Sequence, residues 1–138
     1  MLASHTVLQQ NRTGPAMTQP SRPLLILVAG PYRSGTGDDP DLMAGNLRAM
    51  DEACLGLFRA GHLPVTGEAL ALPLIKAAGS TGVGDAAFDA IFHPYARRLV
   101  GRCDAVLRIG GPSQGADEMV RLAEEQGVAV HRGAWGGP

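Results

Sequence analysis

The chain has little of what membrane proteins and nucleic-acid-binding proteins need. Its formal net charge is −1 and aromatic residues make up 4% of it, so it has neither a basic surface for a phosphate backbone nor stacking platforms for bases. No apolar run approaches the roughly 18 residues of a membrane-spanning helix. Residues 1–22 contain no apolar segment typical of a secretory signal. We therefore expect a cytoplasmic protein that binds neither nucleic acid nor membrane.

Metal-binding, redox and several cofactor motifs are also absent. The two cysteines, Cys54 and Cys103, have the spacing neither of a metal site nor of a redox pair, and we expect both to be small buried side chains. His62 and His93 are isolated and predict structural roles. There is no P-loop, no Gly-x-Gly-x-x-Gly and no Gly-x-Ser-x-Gly sequence, which disfavours ATP hydrolysis, dinucleotide binding and acyl transfer. We predict no metal and no cofactor.

Short apolar runs alternate with helical patterns along the chain. Strands are predicted at residues 24–28, 62–65, 103–109 and 128–131. Helices are predicted at 41–60, at 115–126 and over an apolar face from Phe88 to Val100, with a kink at Pro94 or a start near it. Residues 66–85 show no clear pattern, and the glycines at 79–84 indicate a surface loop or a mobile lid.

This alternation predicts an α/β fold, a Rossmann-like doubly wound parallel sheet of about four or five strands. The length of 138 residues indicates a single domain. We place that domain at residues 23–133, after a disordered leader at 1–22 and before a tail at 134–138.

Two of the predicted strands end in glycine-rich loops. The first contains Gly30 for close backbone approach, Pro31 for a stiff turn, Tyr32 for stacking on a base or sugar, and Arg33 for a phosphate. Ligands bind outside the carboxyl ends of parallel strands in open α/β sheets. The loops therefore predict one pocket for a small molecule that carries a phosphate or a sugar.

The second loop leads into a helix with acidic residues in its first turn. Gly111 and Gly115 permit close backbone approach, and Ser113 is placed to cap the helix. Asp117 and Glu118 either complement the helix dipole or face a bound sugar. The apolar stripe of this helix excludes Glu118, so its side chain is predicted to face solvent or the pocket.

These segments together resemble the nucleoside 2-deoxyribosyltransferase-like superfamily over residues 24–132. The resemblance rests on an apolar strand followed by short motifs, namely Ala29-Gly30-Pro31-Tyr32, Asn46, Ala60-Gly61-His62-x-Pro64, Cys103-Asp104-Ala105-Val106 and Gly111-x-Ser113-x-Gly115-Ala116. Members of the superfamily cleave or exchange the N-glycosidic bond of deoxynucleosides or their 5′-monophosphates. A glutamate in the helix after the serine loop attacks C1′, as in a retaining glycosidase.

The resemblance implies a set of ligand-binding residues and a nucleoside or nucleotide as the partner. The first loop with Tyr32 would hold the sugar, and the Ser113 loop a 5′-hydroxyl or phosphate. Asn46 and Glu68 are also assigned to ligand binding. Members form homodimers or larger homo-oligomers.

The chain departs from the superfamily where the nucleophile is expected. The glutamate of many members stands six residues after the loop serine, and Met119 occupies that position. An acid that many members carry ahead of the second predicted helix is also not evident, because the stretch His93-Pro94-Tyr95-Ala96 fills that region. Either Glu118 or Asp117 serves as nucleophile in an N-glycosidase or deoxyribosyltransferase, or the protein is a catalytically inactive nucleotide-binding protein of the same fold. A phosphoribohydrolase of the lysine-decarboxylase-like group ranks third, because its Pro-Gly-Gly-x-Gly-Thr sequence is absent.

Overall fold

A computed structural model describes residues 22–138 of the chain. In that part four strands form one parallel sheet, and four helices lie between the strands along the chain. This arrangement confirms the predicted α/β class. The strands are β1 (Leu25–Ala29), β2 (Leu63–Val65), β3 (Ala105–Arg108) and β4 (Ala129–Arg132). The helices are α1 (Pro40–Arg59), α2 (Gly67–Ala77), α3 (Ala86–Val100) and α4 (Gln114–Glu125). The predicted leader lies outside the described residues, apart from Arg22.

The order of the strands across the sheet is β2-β1-β3-β4, with every pair parallel. The chain leaves β1 toward β2 on one side and then returns to β3 on the other side of β1. The winding direction therefore reverses between β1 and β3, which pair from Ile26 with Ala105 to Ala29 with Arg108. Such a reversal opens a crevice at the carboxyl ends of the two strands.

Helices cover both faces of the sheet, as the continuous apolar runs of β1 and β3 predict. Met50 and Leu57 of α1 pack against Ile26 and Val28 on one face. Leu27 on the other face packs in a cluster contributed by α3 and α4, which contains Ala96, Val100, Ala116, Met119, Leu122 and Ala123. The alternation of neighbouring β1 side chains between the two clusters shows that the sheet is covered on both sides.

Side-chain caps define where the helices begin. The carboxylate of Asp39 accepts from the backbone N–H of Asp41 before α1, and the Ser113 hydroxyl accepts from that of Ala116 before α4. Asp85 caps α3, which starts at Ala86 and runs through Pro94, so the predicted alternative start near Pro94 is wrong. A Pro has no N–H to donate, but the flanking turns of α3 keep their own bonds.

Helix α2 occupies the first part of the segment 66–85, where no clear pattern was found in the sequence. The Thr66 hydroxyl caps it by accepting from the Ala69 N–H at 3.0 Å. Ala71 and Ile75 pack against Phe88 of α3, while Leu70 and Leu74 on the other side are exposed. Because its apolar residues are not confined to one face, α2 lacks the amphipathic contrast that identifies a helix in a sequence.

The C-terminal tail folds back onto the face of the sheet that α1 covers. Trp135 packs beside the cluster of Met50 and Leu57, with its ring 4.3 Å from that of His131 and 5.4 Å from that of His62. His62 is buried and its Nδ1 accepts from the Leu24 N–H, which fits its predicted structural role. Over residues 22–138 no helix has the length and apolar character needed to cross a membrane.

Two leucines of the sheet provide a test of this core. Leu27→Ala removes a fully buried side chain and leaves a cavity, so we expect the free energy of unfolding to fall by about 2–5 kcal/mol. Leu63→Ala makes the same change at a position that is 57% exposed, and we expect an effect within about 0.5 kcal/mol. Chemical denaturation measures both, and equal losses for the two variants would contradict the layer arrangement.

Candidate functional site

A cleft of about 720 Å³ opens at the carboxyl ends of β1 and β3, where the winding reverses. The first loop, the start of α2, one side of α3 and the start of α4 form its walls. The polar and aromatic residues among its lining are Tyr32, Arg33, Ser34, Asp38, Glu68, Phe88, Phe92, His93, Arg97, Ser113, Gln114 and Glu118. The cleft is lined by the candidates Gly30, Tyr32, Arg33, Glu68, Ser113, Gly115 and Glu118, and not by Pro31, Asn46, Gly111 or Asp117.

The two glycine-rich loops touch each other at the base of this cleft. A Cβ on Gly30 would lie 3.0 Å from Ile109 Cγ1, and one on Gly110 would lie 2.7 Å from Cδ of Pro31. Gly110 also has φ +77°, a conformation that side chains other than glycine rarely adopt. The glycines and Pro31 therefore act by setting the distance between the loops.

The first loop is fixed from outside the cleft by Asn46. Its side-chain amide donates to the backbone carbonyl of Tyr32 at 2.9 Å. The tyrosine ring packs between α1 and α2, and burial together with the charge of Glu68 raises the pKa of its hydroxyl. Asn46, predicted as ligand-binding, thus contacts the loop that carries Tyr32 and does not itself line the cleft.

Arg33 is held over the cleft by contacts on three sides. Its Nε and Nη2 donate to the two carboxylate oxygens of Asp38 at 3.0 and 3.1 Å. The guanidinium carbon lies 5.9 Å from the ring centre of Phe88. Gly84 lies against the guanidinium, so closely that a Cβ there would be 2.8 Å from Nη1 and Nη2.

Glu68 is the buried carboxyl group of the cleft. It stands in the first turn of α2 and is 8% exposed. Burial raises the pKa of this carboxyl to about 7, while its own backbone N–H counteracts the shift in part. A carboxylic acid with such a pKa is half protonated near neutrality and can donate a proton to a bound ligand.

The second loop is held by the buried side chain of Arg108. Its guanidinium donates to the carbonyls of Ile109 and Gly111 and to the carboxylate of Asp117, the last at 3.1 Å. Gly111 therefore contributes a carbonyl to this clamp. The clamp fixes the backbone that leads to Ser113, whose buried hydroxyl lines the cleft and caps α4.

The two candidate nucleophiles point in different directions. Asp117 is directed to Arg108 and lies outside the lining. Glu118 lines the cleft, in agreement with its predicted orientation, and both of its oxygens accept from the guanidinium of Arg121. These bonds, with smaller effects from the charges of Arg97 and His93, lower the pKa of the Glu118 carboxyl.

The sequence analysis missed the wall that α3 contributes. Phe88 and Phe92 stack with ring centres 5.1 Å apart and planes 7° from parallel. His93 and Arg97 follow along the same side, and Arg97 forms no ion pair among the described residues. Residues 88 and 92, and residues 93 and 97, are four apart and therefore lie on one side of α3. Only the fold shows that this side faces the loop that carries Ser113.

The glycine-rich segment at 79–84 is bonded to Asp85. The Asp85 carboxylate accepts from the N–H groups of Phe88, Thr81 and Gly82 and from the Ser80 hydroxyl. These bonds lower the pKa of Asp85 to about 2, with the Phe88 N–H as the largest contributor. The segment contacts the cleft only indirectly, through Gly84, which lies against the guanidinium of Arg33.

Comparison with protein-family models gives no match to the chain, and comparison with curated proteins gives none. The residues of the cleft are therefore interpreted from their own chemistry. Among residues 22–138 there is also no group of three or more His, Cys, Asp or Glu side chains arranged to hold a metal ion.

The raised pKa of Glu68 makes the stability of the fold depend on pH. The carboxyl ionises near 4.5 in the unfolded chain and near 7 in the fold, so the folded state binds the proton more tightly and loses stability as pH rises between these values. Glu68→Gln removes this loss. We expect the variant to gain about 3 kcal/mol relative to the parent on going from pH 4 to pH 8.

Denaturant unfolding of both proteins at the two pH values measures this difference. Glu52→Gln makes the same change on the exposed surface of α1 and serves as the control. A stability difference between Glu68→Gln and the parent that is the same at pH 4 and pH 8 would show that the Glu68 carboxyl does not ionise with a raised pKa.

Proposed function

We propose that this protein cleaves or exchanges the N-glycosidic bond of a nucleoside or nucleotide. The observation that carries the proposal is a pair of carboxyl groups lining one cleft with pKa values moved in opposite directions. Burial raises that of Glu68 to about 7, and Arg121 lowers that of Glu118. Separated pKa values of this kind assign one group as acid and the other as nucleophile.

The reaction divides between these two groups. The ionised carboxylate of Glu118 attacks C1′ and the bond from C1′ to the base nitrogen breaks, with its electron pair leaving on the base. The protonated Glu68 gives its proton to the departing base. Water, or a second base in a transfer reaction, then gives a proton to the ionised Glu68 and attacks C1′ of the glycosyl ester, which releases the Glu118 carboxylate.

The remaining lining residues suit the parts of a nucleotide. Phe88 and Phe92 supply a flat apolar wall for the base. Arg33 and Arg97 are the cationic side chains suited to a phosphate. Ser113 and the start of α4 add hydrogen-bond donors at the far side of the cleft.

Assembly and location belong to the same proposal. We propose a cytoplasmic protein on the basis of its composition, and a homodimer or larger homo-oligomer because the resemblance implies one. Large apolar side chains exposed on α1, β2 and α2 support self-association, namely Leu42, Leu55, Phe58, Leu63, Leu70 and Leu74.

Release of free base tests the proposed reaction. The four common 2′-deoxynucleosides and their 5′-monophosphates are incubated with the protein and the products are separated by chromatography. We expect Glu118→Gln to reduce the rate at least about a thousandfold, because it removes the nucleophile. Glu68→Gln should reduce it by about a hundredfold or more, and the parent rate should fall as pH rises through about 7.

Asp117→Asn is the matched control, because it changes the adjacent carboxylate outside the cleft. We expect it to retain most of the activity. The proposal is wrong if no substrate of the panel releases base, or if Asp117→Asn removes activity while Glu118→Gln keeps it.

The position of Met119 favours a second candidate function, a nucleotide-binding protein without turnover. Met119 lines the cleft where the superfamily carries its glutamate, and a thioether cannot attack C1′ to form the ester. This candidate keeps the aromatic wall and the cationic residues and assigns Glu68 and Glu118 to ligand contacts.

Thermal unfolding in the presence of the same panel separates the two candidates. A ligand that binds only the folded state at a hundred times its Kd adds about 2.7 kcal/mol to the free energy of unfolding. The second candidate predicts this stabilisation by a nucleotide together with no released base. Absence of any shift in the unfolding temperature across the panel would exclude it.

A further inference from the structure

The pairing of Arg33 with Asp38 gives the cleft a specific preference among ligands. We propose that Asp38 is an internal stand-in for the anionic group of the ligand, so that a 5′-monophosphate is bound by displacing Asp38 from Arg33. The inference rests on the proposed function for the nucleoside part of the ligand. It adds that the ligand is phosphorylated and that Asp38 competes with other anions for Arg33.

The first loop folds so that the carboxylate of Asp38 lies beside the guanidinium of Arg33. The Thr36 hydroxyl donates to the Arg33 carbonyl and accepts from the Asp38 N–H at 3.1 Å, which turns the chain back on itself. Asp38 has φ +59°, the left-handed conformation that lets its carboxylate reach Arg33. Thr36 is buried, so this turn is part of the packed structure.

Gly84 and the ring of Phe88 lie on the other side of the Arg33 guanidinium. Gly84 leaves room for the guanidinium where a Cβ would be 2.8 Å away, and the Phe88 ring lies 5.9 Å from its carbon. The Asp85 carboxylate accepts from the N–H groups of Thr81 and Gly82 and thereby holds the backbone that leads to Gly84. Arg33 is thus presented to the cleft in a fixed position, with Asp38 on the edge that a ligand phosphate would occupy.

The carboxylate of Asp38 contacts Arg33 in the way that a phosphate group would, but it carries a smaller negative charge than a phosphate dianion. It accepts from Nε and Nη2 through two oxygens, as phosphate oxygens do in bidentate Arg recognition. Both side chains are roughly half exposed, and an exposed pair of this kind is weak. A dianionic phosphate can therefore replace it, whereas an uncharged nucleoside has no group that competes.

Binding measurements on matched ligands test this proposal. Affinities for the four common 2′-deoxynucleosides and for their 5′-monophosphates are measured by calorimetry with Glu118→Gln, in which the proposed reaction is blocked, and with each variant made in that background. Asp38→Asn should bind a monophosphate about threefold more tightly or better, because the competing charge is gone, and bind the matching nucleoside as before. Arg33→Gln should lose about tenfold or more for the monophosphate alone.

Two glycine variants test whether the position of the guanidinium matters. Gly84→Ala places a methyl group against Arg33 and should weaken monophosphate binding selectively. Gly79→Ala is the control, because Gly79 has φ +91° and open space around it, so it shares the backbone strain of Gly84, whose φ is +80°, without the contact.

The outcomes separate this inference from the proposed function. Monophosphate binding that is unchanged or weaker in Asp38→Asn overturns the stand-in role while leaving the proposed function intact. Equal losses for nucleoside and monophosphate in Arg33→Gln also overturn it. Failure of Glu118→Gln and of every variant made in that background to bind any member of the panel overturns both.

Discussion

The close approach of the loops that follow β1 and β3 is the constraint on which the site depends. Parallel pairing brings the two strand ends side by side, and the Ile109 N–H continues the ladder by donating to Ala29 at 2.9 Å. Beyond that point contact requires Gly30 and Gly110, since a Cβ at either would collide with the other loop. The cleft lies at this junction, where the sheet changes its direction of winding.

Electrostatics in and beside the cleft follow from how each carboxylate is partnered. Asp117 is bonded by Arg108 and Glu118 by Arg121, so both are directed by a guanidinium. Asp38 is bonded by Arg33 at the opposite end. Glu68 has no such partner among the described residues, and burial is the main cause of its raised pKa. The carboxyl whose pKa lies near neutrality is therefore the one that the fold has removed from water.

The sequence predicted the parts of the fold that are set by strong local patterns. The apolar runs of β1 and β3 and the capping residue Ser113 identified the elements that frame the cleft within a residue or two. Helix α2 was not recognised, because its exposed leucines conceal its periodicity and Pro73 lies inside it. Glu68 was assigned to ligand binding, but its raised pKa depends on packing that no local pattern encodes.

The roles of individual site residues divide in the same way. Tyr32 and Arg33 line the cleft because they lie in the loop that follows β1, and Ser113 and Glu118 because they lie at the start of α4. Asn46 and Pro31 lie outside the lining of the cleft and hold the backbone of the first loop in place. Their position depends on which side of the loop faces α1. The α3 wall could not be derived from sequence, since His93 and Arg97 meet the serine loop only through tertiary packing.

Trp135 is an intrinsic fluorophore that lies away from the cleft. It is the only tryptophan in the chain, and its indole packs on the α1 side of the sheet between two imidazoles. The cleft lies at the strand ends toward α3 and α4, and Trp135 is not part of its lining. The indole emission consequently follows the integrity of the α1 layer from a position outside the lining of the cleft.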